Sequence, residues 1–246
     1  MAAALHGRGG LVLREEALPG GQATLAPEAE GPDGLSREFL GHYTLLQSPA
    51  CFKLGRDSVL LSRFATLRRG WRVCDLGCGV GSLLLLLSER EADLVRCGIE
   101  LDPTAAELAR RNLAENGLTG EILNGDLRER DLLPTDGFQL VISNPPYFRQ
   151  GTGFSGGPAR MEEQLTVEAL CGTAGRLLRT GGRFALVFRP ERLPELLAAL
   201  GEARLVPKRI QLLSYHRDKP PYAFLLEAVK EGGMGLTWLP TRYQEE

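Results

Sequence analysis

The sequence of 246 residues has few histidines, an odd number of cysteines and no long apolar run. Three histidines and five cysteines occur, and Cys74 and Cys78 have no partner pair at a spacing typical of zinc sites. We therefore expect no metal. An odd number of cysteines, most of them in predicted strands, helices or a turn, indicates a reducing compartment rather than a disulfide framework.

Segments long enough to cross a membrane are missing as well. The apolar run LLLLLSER is interrupted by Ser88, Glu89 and Arg90, well short of the ~20 residues that a span needs. The N-terminal MAAALHGRGGLVLREE lacks the apolar region of a signal peptide, and Glu15 and Glu16 do not fit a transit peptide. We expect a soluble protein of the cytoplasm, and we expect it to be a monomer.

An excess of positive charge is also absent, since the net charge is −2. Any binding of RNA must therefore rest on a local basic patch. A solvated charged surface explains the candidate residues equally well. These candidates are Arg149, Arg160, Arg189, Arg192, Lys208, Arg209 and Arg217.

Composition and periodicity divide the chain into a leader and one domain. Residues 1–34 are rich in Gly, Ala, Pro and Glu without periodicity, which predicts a flexible leader or a weakly ordered hairpin. The domain covers 35–246, with a lid or platform over 35–70 and a core over 71–246. In the platform, YTLLQSP and CFKLG predict two short strands around Pro49, followed by a helix. Asp57, at the start of that helix, is either an N-cap or a cofactor contact.

From Arg72 onward, predicted strands alternate with helices, which indicates an α/β fold with a parallel sheet. Pro103 and Gly117 mark the start and the end of one of these helices. The last two strands, KRIQLLSYH and YAFLLEAVK, are close in sequence, so we expect them to be antiparallel neighbours.

The segment RVCDLGCGVGS predicts a buried strand, a glycine-rich turn and a helix, the arrangement that holds nucleoside cofactors. The dinucleotide fingerprint fails because Ser82 stands where it needs glycine, whereas D-x-G-x-G-x-G is present. Asp75 would repel a pyrophosphate but suits ammonium and sulfonium groups. S-adenosylmethionine carries both and has no phosphate. Gly77, Gly79 and Gly81 allow positive φ and a close approach to the main chain.

Two further acids follow the next strands. Glu100 ends the strand LVRCGIE, where its two oxygens can accept hydrogen bonds from both hydroxyls of a ribose. Asp126 follows EILNG on the same predicted edge and can accept from the amino group of the cofactor's adenine, or it is a turn or N-cap residue.

The strand FQLVIS delivers Asn144 and Pro145 to that edge. Pro145 and Pro146 remove two N–H donors, so the turn presents mainly acceptors, which select an amino group. Hydrogen bonds from both N–H bonds of a nucleobase amine would restore the lone pair on nitrogen and aim it at a methyl donor. Tyr147 offers a flat face for an extruded base, and Phe148 extends it.

Six segments together resemble the bacterial tRNA1(Val) adenine-37 N6-methyltransferase family of class I S-adenosylmethionine-dependent enzymes. They are GRDSVLLSRF, DLGCGVG, NPPYF, the group Ala159, Arg160 and Glu162, PYAFLLEAVKEGG, and LTWLPTRY. The resemblance implies a Rossmann-like sheet of seven strands with helices on both faces and an antiparallel last pair. It implies cofactor binding by Asp75 to Gly81, including Cys78, and by Glu100, Asp126 and Asn144. It implies that Asn144, Pro145 and Tyr147 carry out catalysis, with Pro146, Phe148 and Arg160 at the substrate.

Three other functions remain open. A protein-glutamine N5-methyltransferase could use the same turn, although such enzymes carry a helical N-terminal domain that this leader does not match. A guanine N2-methyltransferase of ribosomal RNA is another possibility. A non-catalytic S-adenosylmethionine-binding partner of RNA is disfavoured by the presence of both Asn144 and Tyr147.

Overall fold

A central sheet of eight strands dominates the computed structural model, which describes residues 34–145 and 165–244. The leader predicted over 1–34 lies outside these residues except for Gly34. The elements before the sheet are β1 (Ser36–Leu40), β2 (Tyr43–Gln47) and α1 (Arg56–Phe64). The first half of the sheet and its helices are β3 (Arg72–Leu76), α2 (Ser82–Arg90), β4 (Val95–Glu100), α3 (Pro103–Glu115), β5 (Gly120–Asn124) and β6 (Phe138–Ser143). The second half comprises α4 (Val167–Leu177), β7 (Leu178–Phe188), α5 (Leu193–Glu202), β8 (Leu205–Ser214), β9 (Ala223–Lys230) and β10 (Thr237–Tyr243).

The order of strands across the sheet is β10-β8-β9-β7-β6-β3-β4-β5. Strand β9 runs antiparallel to both of its neighbours, β7 and β8, and the other pairs are parallel. This confirms the α/β fold and the antiparallel last pair. The sheet has one strand more than the predicted seven, because β10 adds to β8 at the edge in parallel.

Helices cover both faces of the sheet, as expected. One apolar core joins α1, α2 and α3 to side chains such as Val73 and Leu140, and the other joins α4 and α5 to Cys74 and Val141. Successive residues of one strand thus enter opposite cores, as the period of two in a strand requires. In the described part of the chain, no helix is long and apolar enough to cross a membrane.

The N-terminal platform differs from its prediction. The segment CFKLG does not form a strand, and β2 instead pairs with Ser36–Leu40 in an antiparallel hairpin that turns at Gly41, where φ is 64°. The hairpin docks onto α3 through Asn112, which accepts from Leu46 N at 2.7 Å and donates to Leu46 O at 3.0 Å. Strand β2 therefore obtains its partners from the preceding segment and from a helix.

Helix α1 begins after Gly55, which is its N-cap and makes no side-chain cap hydrogen bond. The N-cap interpretation of Asp57 is therefore wrong. Asp57 lies in the first turn of the helix and accepts a hydrogen bond from the hydroxyl of Tyr222 at 3.2 Å.

Candidate functional site

The carboxyl ends of three adjacent strands bring the predicted site residues together. In the order β4-β3-β6, these ends carry Glu100, Asp75 and Asn144. Asp75 is in register with Gly98 of β4 and with Ile142 of β6. The hydroxyl of Ser143 donates to the carbonyl of Leu76 at 2.7 Å, which joins the end of β6 to the end of β3. The glycine turn and the Asn144 turn thus lie at one rim, as the sequence predicts.

The glycine turn has the backbone that the sequence predicts. Gly77, Gly79 and Gly81 have φ values of 73°, 53° and 82°. A Cβ at Gly77 or Gly79 would meet no atom within 4 Å, so the turn leaves open space in which a ligand can approach the main chain. At Gly81 a Cβ would come within 3.3 Å of the Ala109 Cβ, so this glycine also lets α2 approach α3.

Cys78 takes part in this turn through its main chain. Its N–H donates to the carbonyl of Ile99 at 3.0 Å, and its side chain is buried beside Gly98. Burial, and then the charge of Asp75, raise the pKa of the Cys78 thiol well above its usual value. The thiol therefore stays protonated and belongs to the core.

Glu100 holds the turn in place. One carboxylate oxygen, Oε2, accepts from the N–H of Gly79 at 2.7 Å, and Oε1 accepts from the N–H of Asp102 at 2.9 Å. Sequence reasoning assigned Glu100 to a ribose but missed this second role, which depends on a contact across two strands. Each oxygen has a second lone pair, so the carboxylate can still accept from ribose hydroxyls.

Asp75 is a buried acid with an unsatisfied atom. Only 1% of the residue is exposed, and its Oδ1 has no hydrogen-bond partner among the described residues. Burial, and then the charge of Glu100, raise the pKa of the Asp75 carboxyl well above its usual value. Both effects would be relieved by a cation at the turn. The open glycine cradle and this carboxyl pair thus fit a ligand that carries positive charge.

Asp126 lies beyond the end of β5, where Arg128 engages both of its oxygens. The guanidinium donates to Oδ1 and Oδ2 at 2.9 Å, and the main-chain N–H of Arg128 donates to Oδ1 at 2.9 Å. These contacts, with the side-chain hydrogen bond as the largest effect, lower the pKa of Asp126. Asp126 is a turn residue in this structure, and its contact with a cofactor adenine stays a prediction.

The amide of Asn144 is oriented by a residue that the sequence analysis did not select. Its Nδ2 donates to the hydroxyl of Ser58, in α1, at 2.9 Å. This arrangement leaves the carbonyl oxygen Oδ1 as an acceptor at the turn, beside the buried Pro145. Pro146, Tyr147, Phe148 and Arg160 lie outside the described residues.

Among the described residues, the candidate basic residues are spread over different elements of the fold. Arg209 donates to the carbonyl of Phe64 at 3.1 Å and pairs with the fully buried Glu227 at 3.4 Å. Lys208, in the same half of β8, donates to Gly233 O. Arg192 pairs with Glu195 at 2.7 Å, Arg189 lies beside the β8–β9 loop, and Arg217 lies in that loop. Arg149 and Arg160 are outside the described residues.

Over residues 34–145 and 165–244, no group of three or more His, Cys, Asp or Glu side chains could hold a metal ion.

The proteins that this chain resembles in the following comparisons are methyltransferases. The family model "Methyltransferase small domain" matches residues 52–209. A tRNA1(Val) (adenine(37)-N6)-methyltransferase of Porphyromonas gingivalis is 32% identical over 193 residues, which cover 74% of this chain and 76% of that protein. The crystal structure of a predicted O-methyltransferase from Agrobacterium tumefaciens has a TM-score of 0.63 and 27% identity, covering 76% of this chain and 86% of that one. A T. thermophilus 16S rRNA N2 methyltransferase solved with AdoMet and guanosine has a TM-score of 0.55 and 28% identity, covering 76% and 47%.

Proposed function

The chain belongs to the methyltransferase small domain family, and we propose that it methylates the N6 amine of an adenine in tRNA with S-adenosylmethionine as donor. One observation carries this proposal. The acceptor turn at Asn144 and Pro145 and the glycine turn after Asp75 end neighbouring strands, and Ser143 Oγ joins those strands at 2.7 Å from Leu76 O. Groups bound at the two turns would be adjacent.

The donor site is assigned to the residues around the glycine turn. The main chain of Gly77, Cys78, Gly79 and Gly81 offers the close approach, Glu100 accepts from ribose hydroxyls, and the buried Asp75 favours positive charge. Asp126 is proposed to accept from the adenine of the cofactor. When bound, S-adenosylmethionine supplies a methyl group that is activated by its sulfonium.

The acceptor site is assigned to Asn144 and Pro145. Because Ser58 accepts from Nδ2, the Oδ1 atom of Asn144 is available to one N–H of the target amine. The carbonyl of Pro145 can accept from the other. Two such bonds return electron density to the nitrogen, whose lone pair is otherwise delocalised into the ring, and they fix its direction. This arrangement needs no strong base.

The remaining roles fall on residues outside the described part. We assign stacking of the extruded adenine to Tyr147 and Phe148, and contacts with the RNA to Pro146 and Arg160. The enzyme is proposed to act as a monomer in the cytoplasm.

Incubation with labelled S-adenosylmethionine and separate fractions of total tRNA, ribosomal RNA and protein tests the proposal. We expect label in N6-methyladenosine from tRNA after nucleoside analysis. Label in N2-methylguanosine from ribosomal RNA would favour the second candidate, a guanine N2-methyltransferase. The similarity to the T. thermophilus rRNA enzyme supports that candidate. Label in protein glutamine would contradict both.

A further inference from the structure

A groove of about 460 Å³ lies at the end of β8, apart from the glycine turn. We call it the tyrosine groove. Besides two prolines, it is lined by Arg189, Glu191, Tyr215, His216, Lys219 and Tyr222. Strands β6, β7 and β8 all point the same way, because β9 runs antiparallel to both β7 and β8. The groove therefore opens at the rim that carries Asn144.

The groove contains a preformed aromatic stack. The rings of Tyr215 and Tyr222 are 4.5 Å apart between centroids, at an interplanar angle of 27°. Tyr222 is partly buried, whereas Tyr215 is 46% exposed. Tyr215 is thus held by its neighbour and still exposed enough for a ligand to reach it. Exposed aromatic rings of this kind are the platforms on which proteins stack single-stranded bases.

Two hydrogen bonds that consecutive residues of α1 accept connect the groove to the acceptor turn. The hydroxyl of Tyr222 donates to Asp57 Oδ1 at 3.2 Å, and Ser58 accepts from Asn144 at 2.9 Å. Burial, and then the charge of Asp57, raise the pKa of Tyr222, so the phenol keeps its proton as donor. The segments GRDSVLLSRF and PYAFLLEAVKEGG, distant in sequence, meet at this contact.

The charges at the groove favour an anion. Arg189 and Lys219 line it, against the single lining acid Glu191. Arg217 and Asp218 lie in the same exposed loop, with the guanidinium of Arg217 4.8 Å from the ring centroid of Tyr243. Arg189 also donates to the carbonyl of Tyr222 at 3.1 Å, which fixes the loop against the end of β7. The whole chain carries a net charge of −2, so it does not attract a polyanion as a whole. The local excess of positive charge at the groove can do so.

We propose that the tyrosine groove binds a nucleotide of the RNA next to the methylated adenine, with its base stacked on Tyr215 and its phosphate held by Lys219. This rests on the proposed function, since it places a flanking nucleotide beside the acceptor turn. The groove supplies substrate affinity, and the acceptor turn supplies catalysis. Alanine at Tyr215 or at Lys219 should therefore weaken RNA binding without changing the affinity for S-adenosylmethionine.

The test measures the affinity of the full chain for a fluorescent single-stranded oligoadenylate, with S-adenosylmethionine affinity as the check on folding. Tyr215→Ala should weaken RNA binding at least about fivefold, and Tyr215→Phe should keep it, because stacking needs the ring alone. Lys219→Ala should lower the slope of log affinity against log salt by about 0.7. The matched control is Trp238→Ala, because Trp238 is an aromatic residue on β10 that is 58% exposed.

The proposal would be overturned if Tyr215→Ala bound the RNA as tightly as the wild type does. It would also be overturned if Tyr215→Ala weakened binding no more than Trp238→Ala does. Absence of any wild-type binding would overturn it too. Failure of the proposed function shows itself differently, as groove-dependent binding of the oligoadenylate without methyl transfer to tRNA.

Discussion

The side chain of Asn144 donates a hydrogen bond from Nδ2 to the hydroxyl of Ser58 at 2.9 Å, across 86 positions of sequence. In this arrangement Ser58 engages Nδ2, and Oδ1 is the end of the amide that is left for the substrate. A rotation of the amide by 180° would exchange the acceptor for a donor, and a donor would repel the N–H bonds of the target amine. Ser58 is thus a positioning residue for the acceptor turn.

Ser58→Ala should lower kcat about fivefold, the worth of about one hydrogen bond of 1 kcal/mol, with KM for the donor unchanged. Loss of the hydroxyl removes the hydrogen-bond partner of Nδ2 and leaves the amide of Asn144 freer to rotate. Steady-state kinetics with RNA measures this. The matched control is Ser62→Ala in the same helix, because Ser62 Oγ donates to Val59 O at 2.9 Å within that helix. Equal losses of kcat in the two variants would mean that Ser58 acts only through packing.

Asn144→Ala should lower methyl transfer about 10²- to 10³-fold, the usual cost of removing a hydrogen-bonding group that acts in the transition state. Affinity for S-adenosylmethionine should stay nearly unchanged, because the glycine turn and Glu100 are untouched. Single-turnover kinetics gives the first quantity and calorimetry the second. Turnover equal to that of the wild type would remove Asn144 from catalysis.

Asp75→Asn should stabilise the ligand-free protein and weaken binding of the donor. The pKa of Asp75 is raised in the folded state, so the folded state binds this proton more tightly than the unfolded chain does. The Asp75 carboxyl therefore stabilises the wild-type fold fully below its pKa in the unfolded chain, about 4. This stabilisation is lost as the pH rises towards the raised pKa of the folded state. The excess in Tm of the variant over the wild type should grow with pH above about 4.

Thermal denaturation across pH, together with calorimetry of donor binding, measures both effects. Asp93→Asn is the control, because the Asp93 carboxylate is 60% exposed and pairs with Arg69 at 2.8 Å on the surface. A variant whose Tm tracks the wild type at every pH would mean that Asp75 is not strained by burial. Unchanged donor affinity would take it out of the cofactor site.

Glu227→Ala should destabilise the fold by about 3 kcal/mol, because it leaves partly buried cations without their counterion. Glu227 is fully buried and accepts from Thr66 N at 2.7 Å, Arg183 Nη1 at 2.7 Å and Arg209 Nη1 at 3.4 Å. Urea denaturation measures the free energy of unfolding. The control Glu231→Ala, at a surface pair with Arg204 of 3.7 Å, should cost no more than about 1 kcal/mol. Similar losses in both would contradict a central role for Glu227.

The donor half of the site could be predicted because it is local in sequence. A strand, a glycine turn and a helix follow one another within 72–90, and parallel strands place the following acids at the same edge. The acceptor half could be predicted only in part. Asn144 was found from its two prolines, but Ser58 belongs to a helix that comes 86 positions earlier, and no periodicity reports that contact.

The errors in the fold have physical reasons as well. The segment CFKLG is apolar enough for a strand, yet β2 pairs with the polar segment SREFL, which a turn at Gly41 brings back onto it. Strand β10 was not predicted, because Pro240 interrupts TWLPTRY and its side chains are mostly exposed. Proline is tolerated at the edge of a sheet, which is where β10 lies.

A crystal structure with S-adenosylhomocysteine and adenosine tests the central claim, that donor and acceptor turns meet at one rim. We expect S-adenosylhomocysteine to lie along the glycine turn, with its ribose at Glu100. The N6 amine of adenosine should lie about 3 Å from Asn144 Oδ1 and from the carbonyl of Pro145. Adenosine bound away from Asn144, or S-adenosylhomocysteine bound away from the glycine turn, would contradict the claim.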